Sequence, residues 1–317
     1  MSGFVRRWDG PCLARQPGSG AIHGRRVFRR LYRHDAAGCL GSCPMSITVY
    51  NADPALRRPR EFLAASFGDL RRCGPIAWSL FTAKLRARYR RAWLSYLWLV
   101  LPALVTAVMS AYVESRKIVA IAPTGLPYPL FVFSGMVLWQ TFVEALNSPL
   151  GQLAFNRQLA LRSRVPHEAI ILSGMIEVML NAGLRLVILA LILVFYGQPL
   201  FGEMIFLPIG VAALGVLGLS LGLLLAPLGM LFDDMNWAIG IGTTFLFFVT
   251  PILYPLPATG IFRFNPVSPL LDTARASLRG EGPGANFFIV AAAAGALLLA
   301  AWLIYRLARP HVFARLA

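Results

Sequence analysis

From residue 93 onward the chain is a succession of apolar runs, each near the ~20 residues that a helix needs to cross a bilayer. The runs cover 93–113, 128–146, 169–196, 204–231, 237–256 and 286–305, and Glu144 is the one charge in the second of them. Ahead of them, 74–93 has a different period. Ala77, Phe81, Leu85 and Tyr89 recur every four residues there, while Lys84, Arg86, Arg88, Arg90 and Arg91 occupy the other faces. That spacing predicts an amphipathic helix in the membrane interface, with rings at the acyl boundary and cations at anionic headgroups. The fold class predicted is an all-α integral membrane protein. It has six transmembrane helices, an N-terminal interfacial amphipathic helix, and a re-entrant or short helical element on the outer side between spans five and six.

The interruptions carry further information. TPILYPLPATG follows the fifth run, and its three prolines cannot continue a regular helix. Non-helical backbone at membrane depth is tolerated only where protein or water covers it. LLDTARASL then predicts a short amphipathic helix returning toward the outer face. The connection 147–168 is long enough for a short amphipathic helix, with Leu153, Phe155 and Leu159 on one side and Arg157, Arg162 and Arg164 on the other. Residues 1–44 are rich in Arg and Gly and have no sustained apolar period, so a disordered extension is expected, with Met45 a second plausible start. Four segments follow: the extension 1–44, a cytoplasmic segment 45–92 with the interfacial helix, the six-span domain 93–306, and a tail 307–317.

Composition rules out the soluble alternatives. Apolar residues make up 57% of the 317 and charged residues 14%, against roughly 45–50% and about 25% in ordinary soluble domains. The excess of 30 Lys+Arg over 14 Asp+Glu would suggest nucleic acid in a soluble protein. In a membrane protein it reports orientation instead, and no nucleic-acid partner is expected. With the N-terminus inside, 24 of those basic residues fall on inner segments and five on outer loops, which predicts that both termini are cytoplasmic. His34 with Cys39 and Cys43 lacks a fourth ligand, so no metal site is expected.

No catalytic constellation is legible. The phosphate cradle GxxxxGK[ST] is missing, as is HExxH. Asp233 and Asp234, the nearest approach to a carboxylate pair, fall in an inner turn without a base or nucleophile beside them. Within the third run Glu177, Asn181 and Arg185 are spaced i, i+4, i+8 and share one helix face. Such a polar stripe faces a bundle interior or a wet cavity. Gly215, Gly218 and Gly222 share a face of the fourth run, which predicts close packing within the bundle.

Taken in order, LRARYRRAWLSYLW, PYPLFVFSGMVLWQTFVEAL, NRQLALRSRVPHE, VFYG, TPILYP and NPVSPLLDTARASL resemble the permease subunits of ABC-2 type exporters, in their polysaccharide branch. The resemblance covers 75–317. It implies export of a lipid-linked polysaccharide (O-antigen, capsule or teichoic acid) through the bacterial inner membrane by a homodimer with two ATPase subunits. It implies a transport permease, not an enzyme, with no cofactor on this chain and ATP on the partner subunit. Residues 75–92 then correspond to the interfacial entrance, with Lys84, Arg86, Arg88, Tyr89, Arg90 and Arg91. Residues 153–166 correspond to the helix coupling to the ATPase, with Leu153, Phe155, Arg157, Leu159, Arg162 and Arg164. Spans one and five correspond to the channel walls, where Trp93, Tyr96, Trp98, Tyr112, Phe245, Phe247, Phe248 and Tyr254 offer aromatic faces to sugar C–H groups. MLFDDMNW departs from the Arg-rich turn frequent in that family. Two other functions remain open: an ABC-2 exporter of small hydrophobic molecules, and a membrane transferase.

Overall fold

The computed structural model describes residues 59–89, 95–116, 125–156, 165–199, 201–232, 234–255 and 265–316. Side chains are described for all of these except 59–67, 69–72, 88, 89, 95–97 and 309–316. Every regular element among the described residues is helical: α1 (Pro59–Tyr89), α2 (Ser95–Ser115), α3 (Tyr128–Phe155), α4 (His167–Phe195), a short 3-10 turn (Gly202–Ile205), α5 (Phe206–Leu231), α6 (Met235–Val249), α7 (Val267–Leu278) and α8 (Ala285–Leu316).

Among the described residues five helices are long and apolar enough to cross a membrane: α2, α3, α4, the Gly202–Leu231 unit and α8. The expected fifth run is shorter than its hydropathy suggested. Its helix, α6, has 15 residues and ends at Val249. Residues 251–255 are non-helical, because proline lacks the N–H that would extend the ladder. The second run is longer than expected. Helix α3 continues past Leu146 through Pro149 to Phe155, because Leu150 and Leu153 still face the core. Leu153 is therefore a core residue and not part of an uncovered loop face, whereas Phe155 is 81% exposed. Helix α1 also exceeds the predicted amphipathic segment. It buries Cys73, Ala77 and Phe81, one residue per turn, and Cys73 and Ala77 form a cluster with Ala169 of α4 that Leu172 and Ile176 pack against.

The centre of the bundle is the pair α3 and α5, flanked by α4, α7 and α8. Two facts of sequence bring the pair close. Phe142, Ala145, Leu146 and Pro149 form the α3 side of the contact, and α5 answers with Gly218 and Gly222. A Cβ on Gly218 would stand 2.6 Å from the Phe142 carbonyl oxygen, and one on Gly222 would strike the Leu146 carbonyl oxygen. The glycine face is thus used within the chain, as its spacing predicts. Gly222→Ala should lower the thermal midpoint in detergent, since overpacking costs typically about 1–3 kcal/mol. Gly183→Ala on α4, where an added Cβ meets nothing within 4 Å, should be neutral or slightly stabilising. Equal midpoints for the two variants would remove the close-packing argument.

Helices α2 and α6 each leave a row of large apolar side chains uncovered. Trp98, Val105, Val108, Met109 and Tyr112 of α2 are exposed, as are Trp237, Ile241, Phe245 and Phe248 of α6.

Candidate functional site

Two polar stripes face each other across α3 and α4. The predicted stripe Glu177, Asn181 and Arg185 lies on α4. Its counterpart on α3 is Glu144, Ser148 and Gln152, again at i, i+4, i+8. The helices run antiparallel, so the ends of the stripes meet in opposite order. Arg185 forms an ion pair with Glu144, and Asn181 Nδ2 donates to Glu144 Oε2 at 3.3 Å. Gln152 Nε2 donates to Glu177 Oε2 at 3.4 Å, and Lys84 Nζ of α1 donates to Gln152 Oε1. Arg185 Nε also donates to the Leu99 carbonyl of α2 at 3.4 Å. Four helices are thereby tied by side chains that a lipid-facing surface would reject.

Beside this network the helices stand apart. One cavity of about 370 Å³ is lined by Phe81, Lys84, Gln152, Phe155, Glu177 and Asn181 among others. A second, of about 430 Å³, is lined by Trp98, Glu144, Asn147 and Ser148. They share Gly151, Gln152, Glu177 and Asn181, so they adjoin in the cleft between α1, α2, α3 and α4. The Lys84 ammonium also lies 5.5 Å from the centroid of the Phe155 ring.

The opposite end of α3 holds a second polar assembly, about 30 Å away at 1.5 Å per residue. There the non-helical stretch after α6 exposes three successive carbonyls to the bundle, and all are met by side chains. Arg275 Nη1 donates to the Pro251 oxygen at 2.6 Å and Nη2 to the Ile252 oxygen at 2.5 Å. The Tyr128 hydroxyl donates to the Leu253 oxygen at 3.0 Å. Arg275 Nη2 also donates to the Phe131 carbonyl at 3.1 Å, and its guanidinium lies 3.7 Å from the centroid of the Phe131 ring. Asn265 binds Thr250 Oγ1 at 2.8 Å and accepts from the Val267 N–H at 3.0 Å, fixing the start of α7 to the end of α6. At its other end α7 stops at Gly280, whose φ of 78° permits the bond from the Glu281 N–H back to the Ala276 carbonyl at 3.0 Å. Arg279 then pairs with Glu281 at 3.0 Å, and this hydrogen-bonded partner holds the Glu281 carboxyl below its ordinary pKa. The expected amphipathic helix is thus covered on nearly every side, and Arg275, expected on an outer loop, is 2% exposed.

Residues 77–278 match the sequence model of the ABC-2 type transporter. The chain belongs to the ABC-2 type transporter family. It is a multi-pass membrane protein, and members of that family are transport components. Among curated proteins it is similar to the O-antigen export system permease protein RfbA of Myxococcus xanthus. The two are 28% identical over 179 residues, 56% of this chain and 67% of that protein. It is also similar to the protein of the same name from Klebsiella pneumoniae, 23% identical over 193 residues, 59% of this chain and 73% of that one.

The matched ABC-2 region begins at Ala77, inside α1, and ends at Leu278, the last residue of α7, so it contains both polar assemblies. The structure brings Lys84, Trp98, Phe155, Glu177, Asn181 and Arg185 around the cleft, joined by Glu144 and Gln152, which sequence reasoning did not select as site residues. Glu144 carried a signal, being the one charge of its span. Arg86 is exposed on α1. Tyr112 sits at the far end of α2 from Trp98, with Arg116 5.5 Å from its ring centroid. On α6, Phe245 and Phe248 are exposed, whereas Phe247 packs edge-on against Trp139 at 5.8 Å. The Tyr254 hydroxyl donates to the Phe248 carbonyl at 2.7 Å. Arg90, Arg91, Trp93, Arg157, Leu159, Arg162, Arg164, Asp233 and the segment 1–44 lie outside the described residues, as do the side chains of Arg88, Tyr89 and Tyr96.

Proposed function

We propose that this chain is the permease subunit of an ATP-driven ABC exporter moving a lipid-linked polysaccharide across the bacterial cytoplasmic membrane. The observation that carries the reading is the ABC-2 match over most of the helical bundle, together with two relatives named as O-antigen export permeases. The working unit is a homodimer with a separate ATPase subunit, and ATP binds on that subunit. Both termini are cytoplasmic, as the positive-inside count supports. The short α6 together with 250–255 makes a sixth crossing, closed by the carbonyls that Arg275 and Tyr128 satisfy. Lys84 and Arg86 belong to the cytoplasmic entrance. Trp98, Tyr112, Phe245 and Phe248 line the glycan path, where the second copy covers the exposed faces of α2 and α6.

Coupling to the ATPase falls at 153–166. Its described anchor is Phe155, because Leu153 is taken up by the core. An exposed aromatic is the usual hot spot of an interface, and its truncation costs roughly 2 kcal/mol, about thirtyfold in affinity. Deleting the chain from native cells should abolish the surface polysaccharide, and the purified chain should bring down an ATPase while hydrolysing no ATP alone. Phe155→Ala should weaken that pull-down with the permease level unchanged. Surface polysaccharide that persists after the deletion would overturn the reading. An undiminished pull-down would remove only the coupling anchor.

A further inference from the structure

The cleft between α1, α2, α3 and α4 has a lining that selects among ligands. Its charges cancel in pairs: Lys84 stands with Glu177 across Gln152, and Arg185 is paired with Glu144. A phosphate or diphosphate headgroup would need an excess of cations, and the described lining residues supply none beyond these pairs. A divalent cation would need clustered carboxylates, and no group of three or more His, Cys, Asp or Glu capable of holding a metal occurs among the described residues. A purely apolar guest would shut the polar groups of Gln152, Glu177 and Asn181 away from water and offer no new partner in exchange, and such burial is costly.

One ligand class suits what remains. Carboxamides offer two N–H donors and an acceptor oxygen, and a carboxylate offers only acceptors, so together they serve hydroxyls that both donate and accept. Aromatic faces complete such a site, because the C–H side of a sugar ring lies against them. Phe155 and Phe81 border the first cavity and Trp98 the second. Volumes of about 370 and 430 Å³ lie within the roughly 300–1,000 Å³ of small-molecule sites, enough for a mono- or disaccharide. We propose that this cleft is a saccharide-binding site that takes a sugar unit of the exported glycan. Gln152, Glu177 and Asn181 hydrogen-bond its hydroxyls, and Phe81 and Trp98 border its C–H faces. The proposal rests on the export reading above and adds to it a place where the permease itself reads carbohydrate, adjoining the exposed face of α2 through Trp98.

The test uses the full chain in native cells. Leu180, which lines the cleft, and Leu191, exposed on the same helix outside it, are each replaced by the photo-crosslinker p-benzoylphenylalanine. Irradiation should give the Leu180 probe a heavy adduct that shrinks on periodate oxidation, at least about fivefold above the Leu191 probe. Adding Gln152→Leu or Glu177→Gln should cut that adduct several-fold at equal permease level. A periodate-resistant adduct at Leu180, no adduct, or an adduct unaffected by both substitutions would overturn the saccharide site. Deletion of the chain is scored in parallel. If it abolishes the surface polysaccharide, those failures concern the site alone, and if it does not, the export reading and the site fall together.

Discussion

Arg275→Leu should leave little folded protein to purify. Its guanidinium satisfies the carbonyls of Pro251 and Ile252, which belong to no helix, and no second side chain donates to either among the described residues. Hydrogen bonds to a charged group contribute about 1.5–3 kcal/mol each, and a buried carbonyl left unmatched costs roughly 1–3 kcal/mol. The substitution removes two such bonds, a third to the Phe131 carbonyl, and the stacking on the Phe131 ring. A loss of about 4 kcal/mol or more follows, against total stabilities of only about 5–15 kcal/mol. Arg275→Lys should recover little. An ammonium cannot reproduce a planar fork that reaches two carbonyls while lying on a ring. Gly135→Ala provides a test that leaves the arginine in place. A Cβ there would collide with the guanidinium and stand 2.9 Å from the Ile252 oxygen, so it should lower the thermal midpoint in the same direction. Size-exclusion profiles and thermal midpoints in detergent decide the matter. A wild-type midpoint for Arg275→Leu would show that water meets those carbonyls as well as the arginine does.

That arginine also marks where the sequence stops being legible. A lone Arg in LLDTARASL has the spacing of an exposed basic residue, and its partners are main-chain oxygens, which leave no trace in a sequence. The crossing helices were legible because an apolar run of about 20 residues has few other uses. Their ends were not. Asn147, Ser148, Pro149 and Gln152 look like the start of a loop, yet α3 continues through them because Leu150 and Leu153 alternate with them on the core side. Hydropathy likewise could not distinguish the helical 235–249 from the non-helical 250–255, since both are apolar. The α4 stripe was recognised from its period. Its partner on α3 has the same period, but it was divided between a span and a supposed loop, so only half of the cleft was seen.

The second large effect concerns Glu144 and Arg185, and its sign depends on how many partners are removed. Arg185 is 2% exposed and Glu144 29%, and the pair lies well inside two apolar helices. Among the described residues, Arg185→Leu leaves the carboxylate with the Asn181 amide, at 3.3 Å, as its one donor. Breaking a buried pair from one side costs about 3–5 kcal/mol, because the surviving charge keeps its desolvation penalty and loses its attraction. Replacing both with leucine removes the penalty together with the attraction, and such exchanges are commonly neutral or stabilising by about 1–4 kcal/mol. The Glu144→Leu/Arg185→Leu double variant should therefore melt above either single variant, although the Leu99 carbonyl loses a donor. Thermal midpoints of the four proteins form the cycle. A double variant less stable than both singles would mean that the two residues act independently, each through other neighbours. Surface polysaccharide measured in the same four strains separates folding from transport. A double variant that folds and inserts normally yet exports poorly would assign the pair to the cleft's work, and one that exports normally would leave it a packing device.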